Sequence, residues 1–522
     1  MRSTVAQVIL FTTAVTAAAL SAIRWLRVAQ REHYLPGEVT RFARRWWSTG
    51  PNRVLGAAAF VGLAGAAANV APAGLVTAAA VAVGPFGLGL RGRTSALVWT
   101  RRLKVLASVT GALAAVVLLG LAAIAPSWRL AAAAATLVAV AMPVLVDAGL
   151  AATRPLERRL GARFVQRAAA KLKSIHPKVV AITGSYGKTS TKGYVAHLLS
   201  GTFPVVATPR SYNNQSGLSR AVNDHLLPGT EVFVAEMGTY GPGEIAEMCA
   251  WVPPDISVIT AIGPVHLERM KSEAVITAAK SEILVAAPVA VLNVDSEWLA
   301  PLADQAAGDG KKVWRCSATD RQADVCVVVD GVKSHVLVHG TELAVLAGLD
   351  APPTNVACAV AVALELGVPA EAVARRLPTL PVAAHRREVT RGTTGATIID
   401  DTYNANPAGA HAALNLLCRL AEEKGPDGRR VVVTPGMVEL GARQHDENAR
   451  FAEEAARRAT DLLIVGHSNA RALAEGWRRV AEGERARLRR FATRPEAVAW
   501  VAENLGPADV VLYENDLPDH YP

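Results

Sequence analysis

Charge is scarce in this chain, and negative charge is almost missing from its first third. Only 19% of the 522 residues are charged and 5% are aromatic, against 51% hydrophobic. A disordered chain has the opposite balance and is excluded. The five cysteines (Cys249, Cys316, Cys326, Cys358 and Cys418) include no Cys-x-x-Cys pair and leave an odd one over. That argues against a disulfide scaffold and a four-cysteine zinc site, and for reduced thiols in a cytosolic compartment. Of 55 Lys and Arg and 45 Asp and Glu, residues 1–173 hold 21 and 4, a net +17; 34 and 41 remain, a net −7. The overall +10 therefore belongs to the N-terminal third, and no nucleic-acid partner is expected.

What the N-terminal third has instead is long uncharged runs, at residues 4–23, 55–90, 105–126 and 130–150. A bilayer core takes roughly 20 apolar residues per helix. Three runs are single spans, and 55–90 has room for two short ones turning at Asn69-Val-Ala-Pro72. The expectation is five spans, or four if that run is re-entrant. The first run is too long for a signal peptide and lacks a small-residue cleavage site. Arginines cluster after the first run (Arg24 to Arg53), around 91–104, and after residue 150. This alternation predicts an outside N-terminus, a lipid bilayer as partner, and a plasma-membrane protein with everything after residue 150 cytoplasmic. Asp147 is read as a helix-end acid or as a functional group within the membrane.

From Lys178 onward, short β-branched runs alternate with helical stretches. Strands are predicted at Val179-Val-Ala-Ile-Thr183, Glu231-Val-Phe-Val-Ala-Glu236 and Ile256-Ser-Val-Ile-Thr260. After a break near residues 378–385 a second set follows at 396–400, 430–434, 461–465 and 509–513. This pattern predicts two α/β units with mostly parallel sheets, which bind ligands beyond the carboxyl ends of their strands.

The first strand leads into Gly184-Ser-Tyr-Gly-Lys-Thr189 and a helix over Lys188–Leu199. Glycines let backbone N–H groups approach phosphate, and the helix N-terminus favours the anion. Lys188 would reach the β- and γ-phosphates, and the Thr189 hydroxyl would ligate Mg²⁺. Two residues separate Gly184 from Gly187, where the general phosphate-loop pattern has four.

This loop resembles the ATP loop of the Mur ligases, which join amino acids or peptides to peptidoglycan precursors. Similar segments follow in order: Thr208-Pro-Arg-Ser-Tyr-Asn-Asn-Gln-Ser-Gly217, Ala235-Glu-Met-Gly238, and Ala261-Ile-Gly-Pro-Val-His-Leu-Glu268. Asp400-Asp-Thr-Tyr-Asn-Ala-Asn-Pro407 and Gly436-Met-Val-Glu-Leu-Gly441 resemble the branch that adds D-alanyl-D-alanine to a UDP-linked tripeptide. The resemblance covers roughly residues 174–470. It implies a central P-loop ATPase domain (174–384) and a Rossmann-like C-terminal domain (385–522), which follow the transmembrane α-helical region (1–150) and basic linker (151–173) expected from the uncharged runs and the charge.

For the site, the resemblance implies ATP held by Gly184, Ser185, Tyr186, Gly187, Lys188, Thr189 and Ser190, with Asn355 on the adenine side. Two Mg²⁺ ions are implied at Thr189, Glu236, His266 and Lys280, the last as a carbamylated lysine. Arg386 would reach the γ-phosphate, with Arg387 the alternative register; Asp401 would bond the ribose or its phosphate neighbourhood. Asn404 and Asn406 resemble active-site contacts, Tyr403 is equally a packing residue, and His445 is left open. Phosphorylating a carboxylate needs cations and metal ions around the transferring phosphoryl group, which is why these residue types gather.

Two departures from the family concern the substrates. No segment before Gly184 resembles the small domain that grips UDP, so a small-molecule or lipid-linked cell-wall precursor both remain open. The family's closing Lys-Gly-Ser stretch is replaced by Tyr513-Glu-Asn-Asp-Leu-Pro-Asp519, which leaves open whether an amino acid or a dipeptide is added. Competing readings are a membrane-associated ligase building a polymer such as poly-γ-glutamate, a transport ATPase, and a scaffold. Oligomeric state is not legible.

Overall fold

The structure is a computed structural model that describes every residue except 1, 69, 93–95, 125–126, 210–211, 266, 332, 348–350, 382–385, 404, 518–519 and 522. The chain divides into two compact units, Met1–Leu160 with Leu517–Pro522, and Gly161–Asp516.

The first unit is helical: α1 (Arg2–Arg31), α2 (Glu38–Trp47), α3 (Gly50–Ala67), α4 (Ala71–Val83), α5 (Arg101–Ile124) and α6 (Trp128–Ile175). Among the described residues three helices, not five, are long and apolar enough to cross a bilayer, at Thr4–Arg31, Arg101–Leu121 and Trp128–Ile175. The 55–90 run forms an antiparallel hairpin of α3 and α4 instead of two spans. Its second arm has 13 residues, about 20 Å of helix against a hydrocarbon core of roughly 30 Å. Small residues let the arms touch: a Cβ at Gly62 would collide with both Ala73 O and Thr77 Oγ1. The Thr77 hydroxyl donates to Ala59 O at 2.8 Å.

Two buried charges fasten this unit. The Arg24 guanidinium donates to the carbonyls of Gly84 (2.6 Å), Ala82 (3.0 Å) and Leu88 (3.0 Å), which close the end of α4. A helix C-terminus leaves carbonyls unpaired and partly negative, so the cation is satisfied without an acid. Asp147 is not at a helix end: α6 continues through residues 151–173, so the basic linker is helix. Its carboxylate accepts from Gly37 N (2.9 Å), Val39 N (3.3 Å), Thr40 N (2.8 Å) and Thr40 Oγ1 (2.6 Å). It thereby caps the N-terminus of α2, as a side-chain acceptor supplied from another helix. His520 and Tyr521 pack here, not with the C-terminal domain. His520 Nε2 lies 2.8 Å from Glu32 Oε1, its carbonyl accepts from Trp46 Nε1 at 2.7 Å, and Tyr521 meets Phe42 edge to face.

In the second unit, one sheet has the order β2-β3-β1-β4-β5-β6-β7-β8-β9. These are β1 (Lys178–Thr183), β2 (Val205–Ala207), β3 (Val232–Glu236), β4 (Ile256–Ile259), β5 (Val289–Asn293), β6 (Lys312–Ser317), β7 (Val325–Asp330), β8 (Lys333–Val338) and β9 (Thr341–Ala347). All neighbours are parallel up to β7, after which β7, β8 and β9 run antiparallel. The central strands are continuous apolar runs because helices cover both faces. On one face Val180, Ile182 and Val258 pack with the helix Pro353–Glu365, and on the other Ala181, Phe233 and Ile259 pack with Leu218 and Ile283.

The other sheet has the order β10-β11-β15-β12-β13-β14, from β10 (Glu388–Arg391), β11 (Thr397–Asp401), β12 (Arg430–Thr434), β13 (Asp461–Val465), β14 (Arg487–Phe491) and β15 (Val510–Glu514). Only β10 is antiparallel to its neighbour.

Candidate functional site

Because β1 lies between β3 and β4, the carboxyl ends of three strands deliver the glycine loop, Glu236 and Thr260 to one edge, where open α/β sheets bind ligands. The loop is held by β4's continuation. Ser185 N donates to Ala261 O (2.7 Å), Ser185 Oγ donates to Gly263 O (3.1 Å), and the Thr260 hydroxyl donates to Tyr186 O. Gly187 has φ +81°, and a Cβ there would lie 2.5 Å from Asn355 Oδ1. Glycine is required on both counts, conformation and contact. The buried Asn355, from the helix Pro353–Glu365, therefore stands directly against the loop.

Lys188 opens the helix Lys188–Leu199, and its ammonium donates to Gly184 O at 2.6 Å. Burial lowers it to about 8, and Arg386 pushes the same way against the opposing pull of Glu236. Burial would raise the Glu236 carboxyl, but Lys192 and Lys188 outweigh it and hold the group below its ordinary value. Glu236 Oε1 accepts from Thr189 Oγ1 (3.2 Å) and Asn213 Nδ2 (3.1 Å), and Oε2 from Lys192 Nζ (2.9 Å). Lys280 is buried, and desolvation followed by Lys188 drives it well below the ordinary lysine value.

From the second sheet, Arg386 places its guanidinium 4.9 Å from the centre of the Tyr403 ring. Arg387, at φ 55°, donates its N–H to Asp401 Oδ1 (3.2 Å). Burial raises the Asp401 carboxyl, opposed by Arg387 and Arg386. The 436–441 loop is tied down by amides: Asn448 Oδ1 accepts from Met437 N (2.8 Å), and Asn515 Nδ2 donates to Gly436 O (2.7 Å).

Two sequence-predicted residues, His266 and Asn404, lie outside the described residues. Asn406 caps the helix Pro407–Lys424 by accepting from Gly409 N at 2.9 Å, so its side chain is committed to the backbone. Ser190 is buried with its hydroxyl bonded to Tyr194, and Tyr186 packs its ring where Gly263 leaves room. His445 is exposed, 3.4 Å from Asp446 Oδ1 and from Glu475 Oε2.

Sequence reading missed Lys192, Asn213 as a partner of Glu236, and Glu514. Lys192 had a signal, since it lies four residues after Lys188 and so shares its helix face. Glu514 pairs in register with Asp401 on the neighbouring strand, accepts the Thr434 hydroxyl at 2.6 Å, and is pushed up to about 8 by burial.

Hard oxygen donors at Glu236 and Thr189 suit Mg²⁺, and a lysine amine whose charged form burial disfavours suits carbamylation. Residues 182–363 match the Mur ligase middle domain, and 385–513 the Mur ligase, glutamate ligase domain. The UDP-N-acetylmuramoyl-tripeptide–D-alanyl-D-alanine ligase of Mycobacterium tuberculosis is 34% identical over 312 residues, 58% of this chain and 61% of that protein. The chain thus spans less than two thirds of that relative's length. The Escherichia coli enzyme of the same name is 30% identical over 58% of this chain and 68% of its own. The MurF structure from Acinetobacter baumannii superposes with a TM-score of 0.57 at 25% identity, covering 68% of this chain and 77% of that one. With both domains matched in order and the phosphate loop, Glu236 and Lys280 gathered at one sheet edge, the chain belongs to the Mur ligase family.

Proposed function

We propose that this chain is an ATP-dependent amide ligase acting through an acyl phosphate. It adds D-alanyl-D-alanine or a similar amine to a peptidoglycan-type precursor. The observation that carries this reading is the buried Glu236 and Lys280 with the half-buried Lys188 around one phosphate loop.

The loop from Gly184 to Ser190 cradles the triphosphate, with Asn355 towards the adenine and Asp401 towards the ribose. The Lys188 ammonium leaves the loop carbonyls for the β- and γ-phosphates, and Arg386 comes to the γ-phosphate from the C-terminal domain. A substrate carboxylate oxygen attacks the γ-phosphorus, the bond to the β-phosphate oxygen breaks, and ADP leaves. The incoming amine nitrogen then attacks the acyl carbon; phosphate departs with the C–O electron pair, and the amine loses a proton. Mg²⁺, held by Glu236 and Thr189 and at a second position by His266 and carbamylated Lys280, would neutralise charge on the transferring phosphoryl group.

The N-terminal helices would hold the enzyme at the plasma membrane. Spans in α1, α5 and α6, with the α3–α4 hairpin returning to its own side, put the N-terminus outside and the ligase domains in the cytoplasm, in keeping with the arginine distribution.

The test is ADP release by the full chain in detergent, with UDP-muramoyl tripeptide and D-alanyl-D-alanine supplied singly and together. Release that needs both and vanishes in Lys188→Ala is expected. Release with a different carboxylate and amine would favour another polymer, and release without any carboxylate would overturn ligase chemistry.

A further inference from the structure

The N-terminal unit has an open pocket of about 630 Å³ between α1, α2, α3, α4 and α6. That volume lies within the roughly 300–1,000 Å³ usual for ligand sites. Its floor is apolar and buried: Trp25, Ala59, Val81 and Ala139 are each at most 5% exposed. The rim is different. Arg44, in the last turn of α2, and Arg53, in the first turn of α3, line it with their side chains exposed.

Among the described residues no acidic side chain lines this cavity. Residues 1–160 hold 17 Lys and Arg against 4 Asp and Glu. Those acids are engaged elsewhere: Asp147 caps α2, Glu38 pairs with Arg41, Glu157 with Arg102, and Glu32 with His520. Arg53 Nε donates to Ser48 O, and among the described residues neither Arg44 nor Arg53 pairs with an acid. Two guanidinium groups at the mouth of an apolar pocket match a molecule with an anionic head and a hydrocarbon chain. A soluble anion would leave the floor bare, and an uncharged chain would leave the arginines unused.

We propose that this cavity binds an anionic lipid, with its phosphate between Arg44 and Arg53 and its chain along the floor. Guanidinium–phosphate hydrogen bonds are charge-assisted and directional, and buried chain area adds the apolar share. The inference rests on the membrane part of the function proposed above.

Native mass spectrometry of the full chain released from detergent tests it, using phosphatidic acid and phosphatidylcholine of identical chains. Phosphatidic acid is expected to be retained at least tenfold better. The double variant Arg44→Gln/Arg53→Gln should lose that preference. Ala57→Leu, which narrows the pocket, should lose the lipid while its melting temperature stays near the parent's. Equal retention of the two lipids, or a preference unchanged in the double variant, would overturn the proposal. So would full displacement of the lipid by millimolar inorganic phosphate, which would mark a soluble-anion site. Carbonate extraction of the chain from its host's membranes separates the two readings. A chain released as soluble protein overturns the membrane reading, whereas a retained chain with no lipid preference overturns this inference alone.

Discussion

The Lys192 ammonium lies 2.9 Å from Oε2 of Glu236, and the two side chains are 7% and 2% exposed. Removing one member of a buried pair leaves the other charged and uncompensated, which costs about 3–5 kcal/mol. Lys192→Met is therefore expected to lower thermal stability of the full chain markedly at neutral pH. Because Glu236 is held below its unfolded value, its stabilising contribution is present above the ordinary carboxylate range. It is lost as pH falls through the depressed value. In Lys192→Met the acid limb of the stability profile should move to higher pH; an unmoved limb would refute the coupling.

Lys188 loses its proton at about 8 in the free protein. A bound triphosphate favours the charged form, so ATP binding at pH 8.5 should be accompanied by proton uptake, and ATP affinity should weaken above pH 8. Calorimetry in buffers of different ionisation enthalpy measures the uptake directly. Lys188→Arg keeps a cation and should abolish the uptake.

In the proposed mechanism the unprotonated Lys280 amine would capture CO₂ by forming an N–C bond and shedding a proton, giving an anionic carbamate. ADP release is expected to fall in CO₂-free buffer and recover with bicarbonate. Lys280→Arg should be slower by ~10²–10³-fold, the scale of losing one electrostatic group in such sites, and indifferent to bicarbonate. A ¹³C carbamate signal after labelling with bicarbonate provides an independent readout.

Glu514 shows the opposite linkage to Glu236. Burial raises it from 4.5 to about 8, so the folded chain holds a proton across that window which the unfolded chain releases. Stability supplied by this group is present below pH 4.5 and declines as pH rises towards 8. Glu514→Gln should match the parent near pH 5 and melt higher at pH 8.5. Identical melting profiles from pH 5 to 9 would sink this account.

Asp147 accepts three backbone N–H groups and a hydroxyl at the start of α2. Replacing it with alanine strands those donors, and a loss of about 2 kcal/mol is expected. Asp147→Asn should lose less, since it keeps an acceptor oxygen. Thermal unfolding of the full chain in detergent compares the two.

The strands were legible where local signals were strong. Arg430–Thr434 and Asp461–Val465 are β-branched or leucine-rich runs bounded by polar residues, and the structure gives them the same limits. The span count was not legible, because alanine-rich sequence carries the same hydropathy through α3, its turn and α4. Residues 151–173 read as a linker because charge appears there. Arginine, lysine, alanine and leucine are all good helix formers, however, and the helix continues despite Pro155 and Gly161. α2 did carry a readable stripe in Val39, Phe42, Ala43 and Trp46, spaced for one helix face. The Lys192–Glu236 pair joins residues 44 positions apart, a separation that no local pattern reports.

The return of His520 and Tyr521 to the helical unit bears on the order of synthesis. α1 and α2 leave the ribosome early, yet the partners of Glu32 and Trp46 are made only after the whole of Gly161–Asp516. Until then the Phe42 and Trp46 surface lacks its cover, and the helical unit, translated before Gly161–Asp516, is completed only after it.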